Sequence, residues 1–212
     1  MMTFISYVMV ALAAAAFVYF LKSGNQRRLE GGGGGLPAPL QPMAPTVENV
    51  GAGGVIRLER VGPELTDMDL RVTARHTYRQ GSYRWYELEL DKGTEDRLWL
   101  EVERDDYLEL YLCVKLMDLK DVGLKSTDME FMEREEEGEL TYEGERFTLE
   151  ETGKAVFHRN GVELEGENLF FWDFENDKGD KLIGVERWDD GSYSVSLSIP
   201  IKSSQVEVFS AS

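Results

Sequence analysis

The chain repeats itself, and that repetition limits its possible folds more than any other feature. Trp85-Tyr86-Glu87-Leu88-Glu89-Leu90-Asp91-Lys92-Gly93 returns as Phe171-Trp172-Asp173-Phe174-Glu175-Asn176-Asp177-Lys178-Gly179. Asp96-Arg97-Leu98-Trp99 is matched by Asp180-Lys181-Leu182-Ile183, and Val102-Glu103-Arg104 by Val185-Glu186-Arg187. Each copy then reaches an Asp pair, Asp105-Asp106 and Asp189-Asp190. Upstream, Val72 to His76 loosely resembles Lys154 to His158. Self-similarity with so little drift in spacing marks two diverged copies of one unit, 55–117 and 138–210, the likeness fading at about 201.

Within each copy the hydrophobic period is two, the mark of strands with one buried face. Leu108, Leu110, Leu112, Val114 and Leu116 share one face, opposite Tyr107, Glu109, Tyr111, Cys113 and Lys115. Tyr193, Val195, Leu197 and Ile199 likewise oppose Ser192, Ser194, Ser196 and Ser198. Asp-Lys-Gly and Asp-Asp-Gly supply the left-handed positions that hairpin turns need. The expected fold is therefore all-β: a tandem duplication of a roughly five-stranded antiparallel meander. Free strand edges invite wrong pairing, so a barrel-like closure is expected, as one barrel or two. Between the copies, 118–137 is a connector. There Thr127-Asp128-Met129-Glu130 has the form of a capping box and predicts one short helix at 127–136.

The N-terminal part reads differently. Met2 to Leu21 holds twenty residues without a charge, and a helix of that length spans roughly 30 Å of hydrocarbon. No basic stretch precedes it, as a cleaved signal peptide would require, so 1–22 is read as one transmembrane anchor. Lys22, Arg27 and Arg28 follow it, which predicts an outside N-terminus and a cytoplasmic C-terminal domain at the cell membrane. Gly31–Gly35, then Pro37, Pro39, Pro42 and Pro45, make 23–54 a Gly/Pro-rich linker.

Beyond residue 30 the chain carries 20 Lys+Arg against 39 Asp+Glu. Such acidity repels phosphates, so nucleic acid is excluded as a partner. The lone Cys113 permits no intrachain disulfide, and it lies in a strand pattern without an activating base. No phosphate loop, nucleophile elbow or Cys/His metal motif appears, so no catalytic residue, metal or cofactor is expected.

The candidate binding surface is a set of aromatics on the charged faces: Trp85, Trp99, Tyr107 and Tyr111. Aromatics bordered by polar groups are common at binding surfaces, although the two halves packing on each other would explain them equally. Weaker candidates are His76 and His158, at corresponding places in the two copies, and the paired acids Glu87/Glu89 and Asp173/Glu175. The histidines lack the further ligands that a metal needs. Acids two apart on a strand have the spacing of a glycosidase pair, but a solvated acidic face has it as well.

The two aromatic strands, together with Arg75-His76-Thr77-Tyr78 and Glu186-Arg187-Trp188, resemble the bacterial domain of unknown function 4178. The resemblance covers most of 50–210, and it implies a domain boundary but no chemistry. The expected function is a non-catalytic β-domain, tethered through residues 2–21, that binds a protein partner or small ligand at the inner membrane face. One alternative is a carrier with a cavity in a closed barrel, lined by Leu108, Leu112, Trp172 and Phe174. The other is a hydrolase using the paired carboxylates.

Overall fold

The structure, a computed structural model, describes residues 44–62, 65–93 and 97–211. The expected anchor, and the linker as far as residue 43, lie outside the described residues. Among the described residues no helix is long and apolar enough to cross a membrane.

The first copy folds as β1 (Val55–Val61), β2 (Thr66–Gln80), β3 (Tyr83–Asp91), β4 (Arg97–Arg104) and β5 (Leu108–Met117). After the helix α1 (Ser126–Glu135), the second contributes β6 (Glu139–Tyr142), β7 (Glu145–His158), β8 (Gly166–Asn176), β9 (Leu182–Trp188) and β10 (Tyr193–Pro200). β11 (Val206–Ser210) returns to pair with β1. The helix begins one residue before the expected 127. Asp128, rather than Glu130, is the acid that turns back, accepting the Lys125 N–H at 2.9 Å.

The strands pair antiparallel in the order β11-β1-β2-β3-β4-β5-β10-β9-β8-β7-β6, and β2 also pairs with β7. That extra pairing joins β2–β5 and β7–β10 into one closed ring of eight strands, leaving β11 and β6 as edges. The two copies thus build one ring together.

Two long strands each serve two neighbours. β2 pairs with β1 up to Arg71 and with β7 from Thr77 to Arg79. β7 pairs with β6 up to Thr148 and with β2 from Val156 to His158. Each carries a β-bulge between the two duties, at Val72/Ala74 and at Leu149/Glu151. An extra residue reverses which side chains face which way. Before the bulge Leu70, Val72 and Phe147 enter apolar cores; beyond it His76, Tyr78 and Phe157 line the inside of the ring.

The main apolar cores therefore lie outside the ring. Leu88, Leu90, Leu100, Val102, Leu110 and Leu112 point outward from β3–β5, where Ile56 and Leu58 of β1 cover them with Val47 and Val50. On the other half, Trp172, Phe174, Ile183, Val185 and Val195 pack under Met129 and Met132 of α1 and Leu140 and Tyr142 of β6. Full burial of such side chains stabilises by about 1.5–3 kcal/mol each.

The sequence-derived faces need one correction. β5 changes phase after Cys113, where its pairing with β10 shifts register. Val114 packs on the outer cores, Lys115 also turns outward to donate to the Tyr142 hydroxyl at 2.6 Å, and Leu116 lines the ring interior instead of the apolar face.

Candidate functional site

Because the apolar faces turn outward, the charged faces turn inward. They enclose a cavity of about 560 Å³, within the range of small-molecule sites. Ten carboxylates line it: Glu87 and Glu89 on β3, Glu101 and Glu103 on β4, Glu109 on β5, Glu150 and Glu151 on β7, Asp173 and Glu175 on β8, and Glu186 on β9. Against them stand Arg159 and His76. Ser194, Ser196 and Ser198 of β10 complete one wall.

The strand register stacks like charges. Glu87 lies directly opposite Glu101, and Glu103 opposite Glu109, arrangements that destabilise a pair unless the charge is removed or compensated. Burial drives the Glu87 carboxyl up to about 8, with the nearby Glu186 and Glu89 charges adding to the shift and the Tyr78 hydroxyl opposing it. Asp173 is also pushed up to about 8, by burial and then by Glu151, Glu186 and Glu103. Burial raises Glu101 well above the usual carboxylate range, reinforced by Asp173 and its other acidic neighbours. Glu186 moves the same way, for the same first cause. All four keep part of their surface accessible, and that surface faces the cavity.

Their partners differ. Trp188 Nε1 donates to Ser194 Oγ at 3.0 Å, and Ser194 donates to Glu186 at 2.9 Å. The Tyr78 hydroxyl meets Glu87 at 3.4 Å, and the Tyr83 hydroxyl donates to Glu103 at 2.9 Å. Among the described residues no side chain donates to Glu101 or Asp173. Gly184 opposes Asp173 across β8 and β9, and a Cβ there would stand 3.1 Å from Ser196 Oγ and 3.5 Å from Asp173 Oδ1. A side chain at this position would press on Ser196 and stand against the Asp173 carboxyl.

Aromatic rings close the side of the cavity near the β2–β7 seam. Trp85 stacks on Tyr78 with centroids 5.2 Å apart and meets Phe171 edge-on at 6.0 Å. Phe157 stands edge-on to Trp188 at 5.4 Å.

The expected site residues are partly brought together. Trp85, Trp99 and Tyr111 all line the cavity, whereas Tyr107 lies 78% exposed between β4 and β5 and is not part of it. Trp85 is only 9% exposed, so it belongs to the packing between the two halves rather than to an outer surface. Glu87, Glu89, Asp173 and Glu175 line the same cavity, not a solvated outer face. His76 is buried in the wall, its Nδ1 accepting the Asn160 N–H at 3.1 Å and its Nε2 standing 3.8 Å from Glu89. His158 sits beside it at the seam but outside the cavity lining, with Nδ1 buried and unpaired. The two histidines are therefore not equivalent. The expected apolar lining is wrong as well: Leu112, Trp172 and Phe174 lie in the outer cores, with Leu108 packed against one of them.

Sequence reading missed Glu101, Glu103, Glu186 and Trp188. Glu101 and Glu103 share the β4 face of Trp99, which had been singled out, whereas β9, which carries Glu186 and Trp188, held no candidate. Cys113 also lines the cavity, but burial raises its thiol to about 11, leaving it protonated and unreactive. Among the described residues no three His, Cys, Asp or Glu side chains are grouped to hold a metal ion.

Fold and cavity together define an antiparallel β domain whose ring of eight strands surrounds a hollow acidic interior. Residues 64–203 match the domain of unknown function DUF4178, and the chain belongs to that family. No curated protein and no solved structure matches it.

Proposed function

We propose that this chain is a non-catalytic binding domain whose ligand is a small molecule held inside the ring, here taken to act as a barrel. The cavity carries this reading. An interior that had only to stabilise the fold would be filled with apolar side chains; this one is hollow and lined by desolvated polar groups. Such groups are costly unless a partner compensates them. The burial of Trp85 moves the reading away from an exposed adaptor surface and toward a carrier or sensor. Residues 2–21 would hold the domain at a membrane, on the cytoplasmic side by the positive charges that follow them.

The hydrolase alternative gains raised carboxyls, but the ten acids are spread around the wall. The hydroxyl bonded to Glu186, that of Ser194, also accepts from Trp188 Nε1, and Cys113 is held as a thiol.

The test is a screen of the full-length protein in detergent against small molecules of positive, neutral and negative charge. Quenching or shift of the Trp85 and Trp99 fluorescence reports binding. A Ser196→Phe variant, folded by circular dichroism, fills the cavity. Saturable binding by the native chain that this variant lacks supports the reading. Binding that persists in the variant, or none from any charge class, contradicts it.

A further inference from the structure

The cavity's own chemistry narrows the ligand class, an inference that rests on the binding reading above. Three observations converge on it. Ten carboxyl groups face one arginine and one histidine across the cavity, so acidic groups far outnumber basic ones in its wall. Two of those carboxylates, Glu101 and Asp173, have no side-chain donor among the described residues, and Gly184 opposite Asp173 sets no side chain against it. Trp85 is nine-tenths buried and lines the cavity, its ring stacked on Tyr78 and edge-on to Phe171, so an aromatic wall stands beside the acids.

We propose that the ring cavity binds a small organic cation, its ammonium or guanidinium group set at Glu101 and Asp173 and its apolar body against the aromatic wall of Trp85 and Phe171. A cation answers each feature. It gives the two unpartnered carboxylates a charge-assisted donor, the interaction that repays burial of an acid. It offers the stacked Glu87 and Glu101 a counter-charge in place of the protons that burial otherwise holds on them. Aromatic faces attract cations through their quadrupole and accept the apolar part of the molecule equally well. A bare metal ion fits less well, because the acids do not gather into a ligand set. An anion would meet the negative field, and a neutral apolar ligand would leave the carboxyls uncompensated.

Cation binding also has a proton consequence. Glu87 and Asp173 are largely protonated at neutral pH in the empty protein, and a bound ammonium favours their ionised forms. Binding must therefore release protons and tighten as pH rises toward 8. The charged groups facing Asp173 are Glu101, Glu103, Glu151 and Glu186, from β4, β7 and β9; those facing Glu87 are His76 on β2, Glu89, Glu101 on β4 and Glu186 on β9, with the Tyr78 hydroxyl.

The experiment is calorimetric titration of the full-length protein in detergent with benzylamine, benzyl alcohol and benzoate, at pH 6 and pH 8. It is repeated on Glu101→Gln and Asp173→Asn, near-isosteric changes that remove charge without emptying volume. Saturable benzylamine binding is expected, tighter at pH 8, with proton release and about a tenfold loss of affinity in each variant. Benzyl alcohol and benzoate are expected to bind more weakly by at least that factor. Benzyl alcohol binding as well as benzylamine, or variants that bind benzylamine unchanged, overturns the cation assignment while leaving a cavity-binding domain intact. Binding of a lysine-rich peptide without benzylamine binding moves the negative charge's role to the outer surface and also overturns it. If Ser196→Phe binds benzylamine like the native chain, the cavity is not the site and both readings fail.

Discussion

Tyr78 and Phe157 face each other across the line where β2 meets β7, directly opposed in register with ring centroids 5.1 Å apart. Only Thr77, Tyr78 and Arg79 of β2 pair with β7, so backbone hydrogen bonding contributes little to closing the ring there. The apolar, mostly aromatic cluster of Tyr78, Trp85, Phe157, Leu169 and Phe171 holds the seam instead.

Trp85→Ala is therefore expected to destabilise the domain by about 3–5 kcal/mol, the range for removing a large buried ring. Chemical denaturation followed by circular dichroism measures it. A loss below about 1 kcal/mol would place Trp85 outside the packing that closes the ring.

The outer cores set the fold independently of the cavity. Leu110→Asp puts an uncompensated charge among Leu58, Leu88, Leu100 and Leu112, and Val195→Asp does the same beneath α1. Each is expected to abolish cooperative unfolding in a thermal melt, because burying an unpaired carboxylate exceeds the usual margin of stability. A sharp transition retained by either variant would contradict the outward placement of these faces.

Stability of the empty protein is expected to depend on pH in an unusual direction. Glu87 and Asp173 hold their protons up to about 8 in the folded chain, while in the unfolded chain they ionise near 4. Between those values the folded state binds more protons, so stability falls as pH rises from about 4 to about 8 and then levels off. Glu145 acts oppositely: Lys181, Asn176 and Lys178 hold it down to about 2, so its contribution is lost as pH falls from its ordinary value toward 2. A maximum near pH 4–5 follows. Melts across pH 3–9 test this, at roughly 2–4 °C for each kcal/mol. A melting temperature rising from pH 5 to 8 would be the wrong sign.

Asp173→Asn should remove part of that slope. The amide cannot ionise, so the variant is expected to melt higher than the native chain at pH 8 and close to it at pH 5, by several degrees at most. Equal melting temperatures at pH 8 would mean that Asp173 is hydrated as freely in the fold as outside it.

How far all this could be read from sequence depended on range. The duplication and period-two faces were local signals. The Ser194, Ser196, Ser198 face does oppose Val195 and Leu197, and the short helix sits within a residue of its expected place. The reversal in β5, which sends Leu116 inward, depends on a register shift against β10, some eighty residues away, and leaves no local mark. The same holds for ring closure. A strand pattern reveals two faces without saying which is enclosed, because that depends on β2 meeting β7 through three residue pairs. Glu87 and Glu89 were thus legible as sharing the face of Trp85, but not as groups inside a cavity. What would have helped is the recurrence of acids and aromatics together on one face of β3, β4, β8 and β9, which a merely soluble surface does not require.

The most direct test of a ligand-holding ring is a crystal structure of the protein soaked in benzylamine. The account predicts density for the amine inside the ring, its nitrogen within hydrogen-bond distance of Glu101 or Asp173 and its ring against Trp85 or Phe171. A ring interior holding water alone, with benzylamine absent or seated on the outer surface, would contradict it.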